Sequence, residues 1–329
     1  MFLVLKIIAK KKHFLYNIFS FGGPMEIYQD NLTEKQKKNA KRPVNGKKPK
    51  QPFRFINDSY RNRSTPTWEK IVFILIGVIG LNVANYIVSF LRITTTFYDP
   101  NVGRTLFGQS LQRFLTYFIV LIGFLLLIFL DQHASYKKIF KDFASFKPYV
   151  YGLIGCLLLY IVNVVFNVIY SVTMPEIYGA NNNQQGIESR RHASPALSII
   201  TVVLLAPFCE ERTYRLGLLD ATGKKNRWLG LIISAIIFGA IHFDWTPGLL
   251  RNQAKMDGDR KLFAAYRVRM INEWLNLPIY ISSGFILGLT YISSGKMASS
   301  WISHMLLNSI SCIEVMTIAS NRRIIPFIR

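Results

Sequence analysis

The sequence predicts an all-α protein, a polytopic transmembrane helix bundle of about seven spans behind a basic, disordered N-terminal tail. Three observations predict it. Apolar residues make up 50% of the 329 and charged residues only 18%, below the roughly one quarter usual in soluble domains. Beyond Lys70, apolar stretches follow one another, most of them near the ~20 residues that cross a hydrocarbon core. The charge is lopsided, 40 Lys and Arg against 18 Asp and Glu, which suits a membrane protein with basic loops and tails. A secreted disulfide scaffold is excluded. The three cysteines, Cys156, Cys209 and Cys312, all lie in apolar segments, where a buried hydrophobe is the expected role.

Residues 1–69 form the tail. The first seventy residues hold sixteen basic and five acidic side chains, half of the net charge of +22. From Glu34 to Arg63 the run of Lys, Arg, Asn, Gln and Pro has too few large apolar residues to bury a core and reads as disordered. Beside a membrane its partner is anionic lipid, attracted by about 1 kcal/mol per cation near the surface. Nucleic acid is not expected as a partner, because no folded recognition module accompanies the charge. Met1 to Phe21 is apolar but broken by Lys6 and by Lys10 to Lys12, too interrupted for a span and unlike a signal peptide. It reads as an amphipathic surface anchor, or as sequence ahead of a start at Met25.

Spans are predicted at 70–91, 114–131 and 149–172, within an N-terminal helical region 70–194. Four more, at 195–219, 228–243, 276–294 and 297–317, make a core 195–317, and 318–329 is a short C-terminal tail. Gly284 and Gly288, four residues apart on one helix face, predict a close helix–helix contact. The tail, the loop with Lys137, Lys138, Lys141 and Lys147, and the turn with Lys224, Lys225 and Arg227 fall on one side if the N-terminus is cytoplasmic. Residues 244–275 put Arg251, Lys255, Arg260, Lys261, Arg267 and Arg269 on the opposite face. Their second half mixes Leu262, Phe263, Tyr266, Met270, Ile271 and Trp274 with those cations and reads as an interfacial amphipathic helix.

Against this apolar background three polar clusters stand out, since an ionisable residue inside a span costs at least ~2.5–3.5 kcal/mol. They are Glu210-Glu211 with Arg215, Phe238 with His242, and His304 with Asn308. Glu211 and Arg215 are spaced i,i+4, the order that favours a helix ion pair. Glu210 then points about 100° away, without a cationic partner on its own helix, which suits a general base. His304 and Asn308 share a face and can donate to one developing oxyanion. Phe238 and His242 share another, which sets a ring against the histidine. Each residue alone could be a packing device, but four such residues on three neighbouring apolar helices point to one site. Cys209 reads as core, and His13, His133 and His192 as solvated or interfacial. There is no H-E-x-x-H, no G-x-S-x-G, and membrane aspartates occur only at span edges, at Asp131 and Asp220. A transporter is disfavoured because no inverted repeat or pair of broken helices is evident.

These motifs, Glu210-Glu211-x-x-x-Arg215, Phe238-x-x-x-His242 and His304-x-x-x-Asn308, in that order over residues 195–317, resemble the CPBP family of intramembrane proteases. That family includes the eukaryotic Ras-converting CAAX prenyl endopeptidase and bacterial members, some associated with bacteriocin self-immunity. The resemblance implies an intramembrane endopeptidase acting on a membrane-associated peptide or protein. Glu210 would activate water with help from His242, His304 and Asn308 would stabilise the oxyanion, and Arg215 would hold Glu211. It leaves the cofactor open: none, or a divalent metal such as zinc held by Glu210, His242 and His304. No carboxylate is evident in the sequence beside either histidine, which favours the metal-free form. The rival expectation is a non-enzymatic membrane immunity or scaffolding protein. Rod arithmetic at ~1.5 Å per residue puts Glu210 and His242 about 10 Å apart in depth within a ~30 Å core.

Overall fold

The computed structural model describes residues 67–91, 97–99, 103–130, 142–223 and 226–324. The readings made for residues 1–66, for Lys137, Lys138, Lys141, Lys224 and Lys225, for Asp131 and His133, and for the last five residues lie outside these. Among the described residues helix dominates, because an apolar chain in lipid must satisfy its backbone within each segment. The helices are α1 Thr67–Phe90, α2 Leu106–Leu130, α3 Lys147–Thr173, α4 Asn182–Ala193, α5 over residues 195–222, α6 Arg227–Ala240, α7 Thr246–Met256, α8 Arg260–Ser294 and α9 Met297–Ile324. Before α2, two-residue strands β1 Tyr98–Asp99 and β2 Gly103–Arg104 pair antiparallel.

By length and composition α1, α2, α3 and α8 can cross a membrane, four of the seven expected spans. Helix α6 has 14 residues and rises only about 21 Å. Helix α5 is interrupted, and α9 carries Ser, His and Asn through its middle. The separate interfacial helix and span expected over 260–294 are one helix of 35 residues. Asp259 caps its start by accepting from Leu262 N–H, and Gly295 at φ 71° ends it in the left-handed conformation. Nothing between them stops the helix, since Pro278 interrupts only one backbone hydrogen bond. Helix α4, made of Asn, Gln and Arg, is not announced by hydropathy; Asn181 caps it by accepting from Gln184 N–H at 3.0 Å.

Burial is inverted relative to a soluble protein. Ile79, Val83, Leu153, Leu157 and Val168 are exposed on α1 and α3, while Glu211, Arg212 and Arg215 are buried. Apolar outside and charged inside is the arrangement of a membrane protein. Helices α6 and α8 pack closely, and α3 lies against both α8 and α9. A Cβ on Gly284 would stand 3.0 Å from the Phe238 ring and 3.1 Å from the Ala235 backbone, so this glycine is what lets α8 approach α6. Three apolar clusters tie the bundle together, and the one of Leu159, Tyr214, Phe238, Ile286 and Leu287 backs the polar centre.

Candidate active site

The polar centre begins in α5, whose sequence explains its shape. Ala206–Glu211 is α-helical between two stretches of wider i→i+5 turns, Ile200–Leu205 and Arg212–Leu219. The N–H of Ala206 bonds back to Thr201, and Pro207 has none to give. The carbonyl of Val202 thereby loses its backbone donors, and Asn308 replaces them, Nδ2 to O at 2.8 Å. Asn308 is thus fixed to the helix that carries the glutamates.

The two glutamates take different partners. Glu211 is fully buried; its Oε2 lies 2.9 Å from Arg215 Nε, its Oε1 lies 3.0 Å from His304 Nδ1, and it accepts from Ser300 Oγ. Both Nη nitrogens of Arg215 lack a hydrogen-bond acceptor among the described residues, and the guanidinium lies 5.0 Å from the Phe238 ring centroid. Glu210 faces a cavity instead. Tyr117 donates its phenol to Glu210 Oε1 at 3.4 Å, and His304 Nε2 lies 3.9 Å from Oε2.

Both imidazoles are oriented by their other nitrogen. His304 Nδ1 meets a carboxylate and His242 Nδ1 meets the Phe238 carbonyl at 2.8 Å. Neither acceptor has a proton to give, so each Nδ1 carries the hydrogen and each Nε2 is left for chemistry. The His242 ring stacks on Tyr280 at 4.6 Å, within 13° of parallel, and meets the tilted Phe238 ring at 4.8 Å. Tyr280 OH in turn donates to Asn181 Oδ1 at 3.3 Å.

Glu210, His242, His304 and Asn308 line one cavity of about 970 Å³, with Tyr117, Tyr214, Phe238 and Tyr280, while Glu211 and Arg215 sit behind it. Glu210 and His242 nonetheless line the same cavity, although rod arithmetic set them apart in depth. The wide turns of Ile200–Leu205 shorten the rise of α5 before Glu210, and His242 lies in the turn after α6, not inside it. The expectation that no carboxylate stands beside either histidine is also corrected, because Glu211 holds His304. Cys209, 1% exposed, packs with Phe73, Phe124 and Phe208. Tyr117, Tyr280 and Ser300 are site neighbours that the motifs did not show. Only Ser300 carried a signal, one turn before His304 on the same face.

Among the described residues no three His, Cys, Asp or Glu side chains converge as metal ligands do. Glu210, His242 and His304 as placed here do not fit a metal centre, and the chemistry assigned below uses the chain's own groups.

Residues 192–310 match the family model described as Type II CAAX prenyl endopeptidase Rce1-like. This segment holds all three motifs, so the resemblance they carry to the CAAX-type intramembrane proteases is borne out there. A curated relative from Mycoplasma capricolum subsp. capricolum, described as an uncharacterized protein, is 28% identical over 162 residues, 46% of this chain and 40% of that protein. The chain thus spans well under two thirds of that relative's length. No solved structure matches.

Proposed function

We propose that this membrane protein is an intramembrane endopeptidase that hydrolyses a peptide bond of a membrane-associated peptide or protein. The supporting observation is Glu210 lying 3.9 Å from the Nε2 of a His304 that Glu211 anchors, on a cavity inside an apolar bundle. The similarity of residues 192–310 to type II CAAX prenyl endopeptidases supports the same reaction class. In this mechanism Glu210 takes a proton from water, His242 Nε2 helps to hold that water, and its oxygen attacks the carbonyl carbon. The oxyanion settles on protonated His304 Nε2 and on the Asn308 N–H that Val202 does not use. Collapse breaks the C–N bond, and the Glu210 carboxyl returns its proton to the leaving amine. Burial strengthens each of these contacts relative to water. The proposed setting is the cell membrane, with the N-terminus cytoplasmic and the basic tail against anionic lipid.

The test compares peptide termini in membranes and medium from cells with wild-type protein, with Glu210→Gln at equal abundance, and with a deletion. Termini lost alike in the variant and the deletion are expected, with turnover down about 10²–10⁴-fold. If Glu210→Gln matches wild type while the deletion has a phenotype, the protein acts by binding, as an immunity or scaffolding factor does, and proteolysis is rejected.

A further inference from the structure

The cavity that holds Glu210 has a second polar wall, outside the segment that matches the family. It is made by Arg190 and Arg191 at the end of α4 and by Arg113 on α2. Arg191 is 4% exposed, yet among the described residues only one weak hydrogen bond holds it, Nη1 to the Ser311 carbonyl at 3.5 Å. Its Nη2 is buried with no acceptor among the described residues. Among the described residues none of the three arginines has a carboxylate within 4 Å. Glu188, on the same wall, is engaged by Gln184 Nε2 at 3.0 Å instead. Arg190 has its pKa pushed down to about 10, by burial first and by Arg113 second, so these two cations repel each other across the cavity. Cations in a helix's last turn answer its dipole, but that needs no burial. A buried guanidinium with an idle nitrogen is expensive unless something anionic completes it.

On the proteolytic reading of the site, we propose that Arg191, with Arg190 and Arg113, forms a subsite for a carboxylate of the peptide substrate. Ser311 lies seven residues beyond His304 on α9, which places the Arg191 guanidinium about 10 Å along the helix from the reacting centre. That distance is a few residues of extended chain. A planar carboxylate needs only one edge of the guanidinium fork, which suits a side chain this deeply buried. The carboxylate is either a free C-terminus or an Asp or Glu side chain; both offer the same group.

The test uses full-length protein in neutral-lipid nanodiscs and a randomised decapeptide library in three forms: free acid, C-terminal amide, and amide with Asp and Glu replaced by Asn and Gln. Binding is measured on Glu210→Gln and cleavage on wild type. Peptides bearing a carboxylate are expected to bind and be cleaved about tenfold or more better than neutral ones. Arg191→Gln brings that ratio near one, mainly through KM, and Arg191→Lys leaves it intermediate. Comparing the amide with the third form separates a side-chain carboxylate from a free C-terminus. If Arg191→Gln does not fold, Arg190→Gln and Arg113→Gln must each lower the ratio. A ratio that stays the same in these variants, or is one in wild type, overturns the subsite while leaving proteolysis standing. Arg191-dependent binding without cleavage by wild type keeps the subsite and removes proteolysis. Displacement of the peptide by phosphatidylglycerol vesicles, with no carboxylate preference, assigns the arginines to a lipid headgroup and also overturns it.

Discussion

Glu211 and Arg215 give the sharpest separation of stability from chemistry. Both are 0% exposed and 2.9 Å apart, and the only other support of the arginine among the described residues is the face of Phe238. Glu211→Ala strands a buried guanidinium, and Arg215→Met strands a buried carboxylate that keeps only Ser300 and His304. Breaking a buried pair from one side costs about 3–5 kcal/mol. At about 2–4 °C per kcal/mol, each single change lowers the unfolding temperature by roughly 6–20 °C. The double variant Glu211→Leu/Arg215→Met removes both charges together, and replacing a buried pair by apolar side chains is often close to neutral. It should therefore unfold well above either single variant. Its activity should not return, because His304 Nδ1 has lost the carboxylate that orients it. The assay is thermal unfolding of purified protein, read beside cleavage of the peptide termini found with wild type. Single shifts below 2 °C, or a double shift equal to the sum of the singles, would refute a coupled buried pair. Recovery of activity in the double variant would show that Glu211 does not position His304.

Three further outcomes are expected. Gly155→Leu should destabilise the bundle by several kcal/mol, because any Cβ there runs into Ser303 and Thr290 on the neighbouring helices; an unchanged unfolding temperature would show that α3 can move aside. Tyr280→Ala should lower turnover more than Tyr280→Phe, since phenylalanine keeps the stack on His242 and loses only the hydroxyl's bonds to Asn181 and Asn183; equal effects would place the role in the hydroxyl. Asp244, in the turn after α6, is pushed up by burial but held lower overall by Thr246 and Asn182, so its folded pKa lies below the ordinary carboxylate value. A depressed pKa gives stability above the unfolded value that is lost as pH falls through the folded one. Asp244→Asn should therefore destabilise at pH 7, with the difference from wild type vanishing in acid; a constant difference would remove the charge from the explanation.

Lipid-facing helices were the most legible part of the sequence. Helices α1 and α3 lie within a few residues of their predicted spans because an apolar run in lipid has one way to satisfy its backbone. The Glu211–Arg215 pair and the shared face of Phe238 and His242 were legible for a similar reason, since four-residue spacing fixes them locally. What the pattern hid depends on distant partners. His304 meets Glu211 across 93 residues, and nothing near either residue announces it. Asn308 looked like a free amide, yet Pro207, 101 positions away, creates the orphan carbonyl that claims one of its N–H groups. The polar helix α4 gave no hydropathy signal, although it supplies two of the three arginines on the cavity wall.

One ring ties these pieces together. The Phe238 centroid lies 5.0 Å from the Arg215 guanidinium, 4.8 Å from the His242 ring and 6.0 Å from the His304 ring. An aliphatic side chain could fill the same volume, but it has no π-face to offer Arg215 once Glu211 has taken Nε. The guanidinium needs that face because no oxygen among the described residues meets its Nη nitrogens. With Arg215 held, Glu211 stays in place and can fix His304; with His304 fixed, its Nε2 lies 3.9 Å from Glu210. The order of dependence therefore runs from an aromatic ring through a buried ion pair to a histidine. It explains why two glutamates with different surroundings stand side by side on α5, about 100° apart around the helix, one facing the bundle and one facing the cavity.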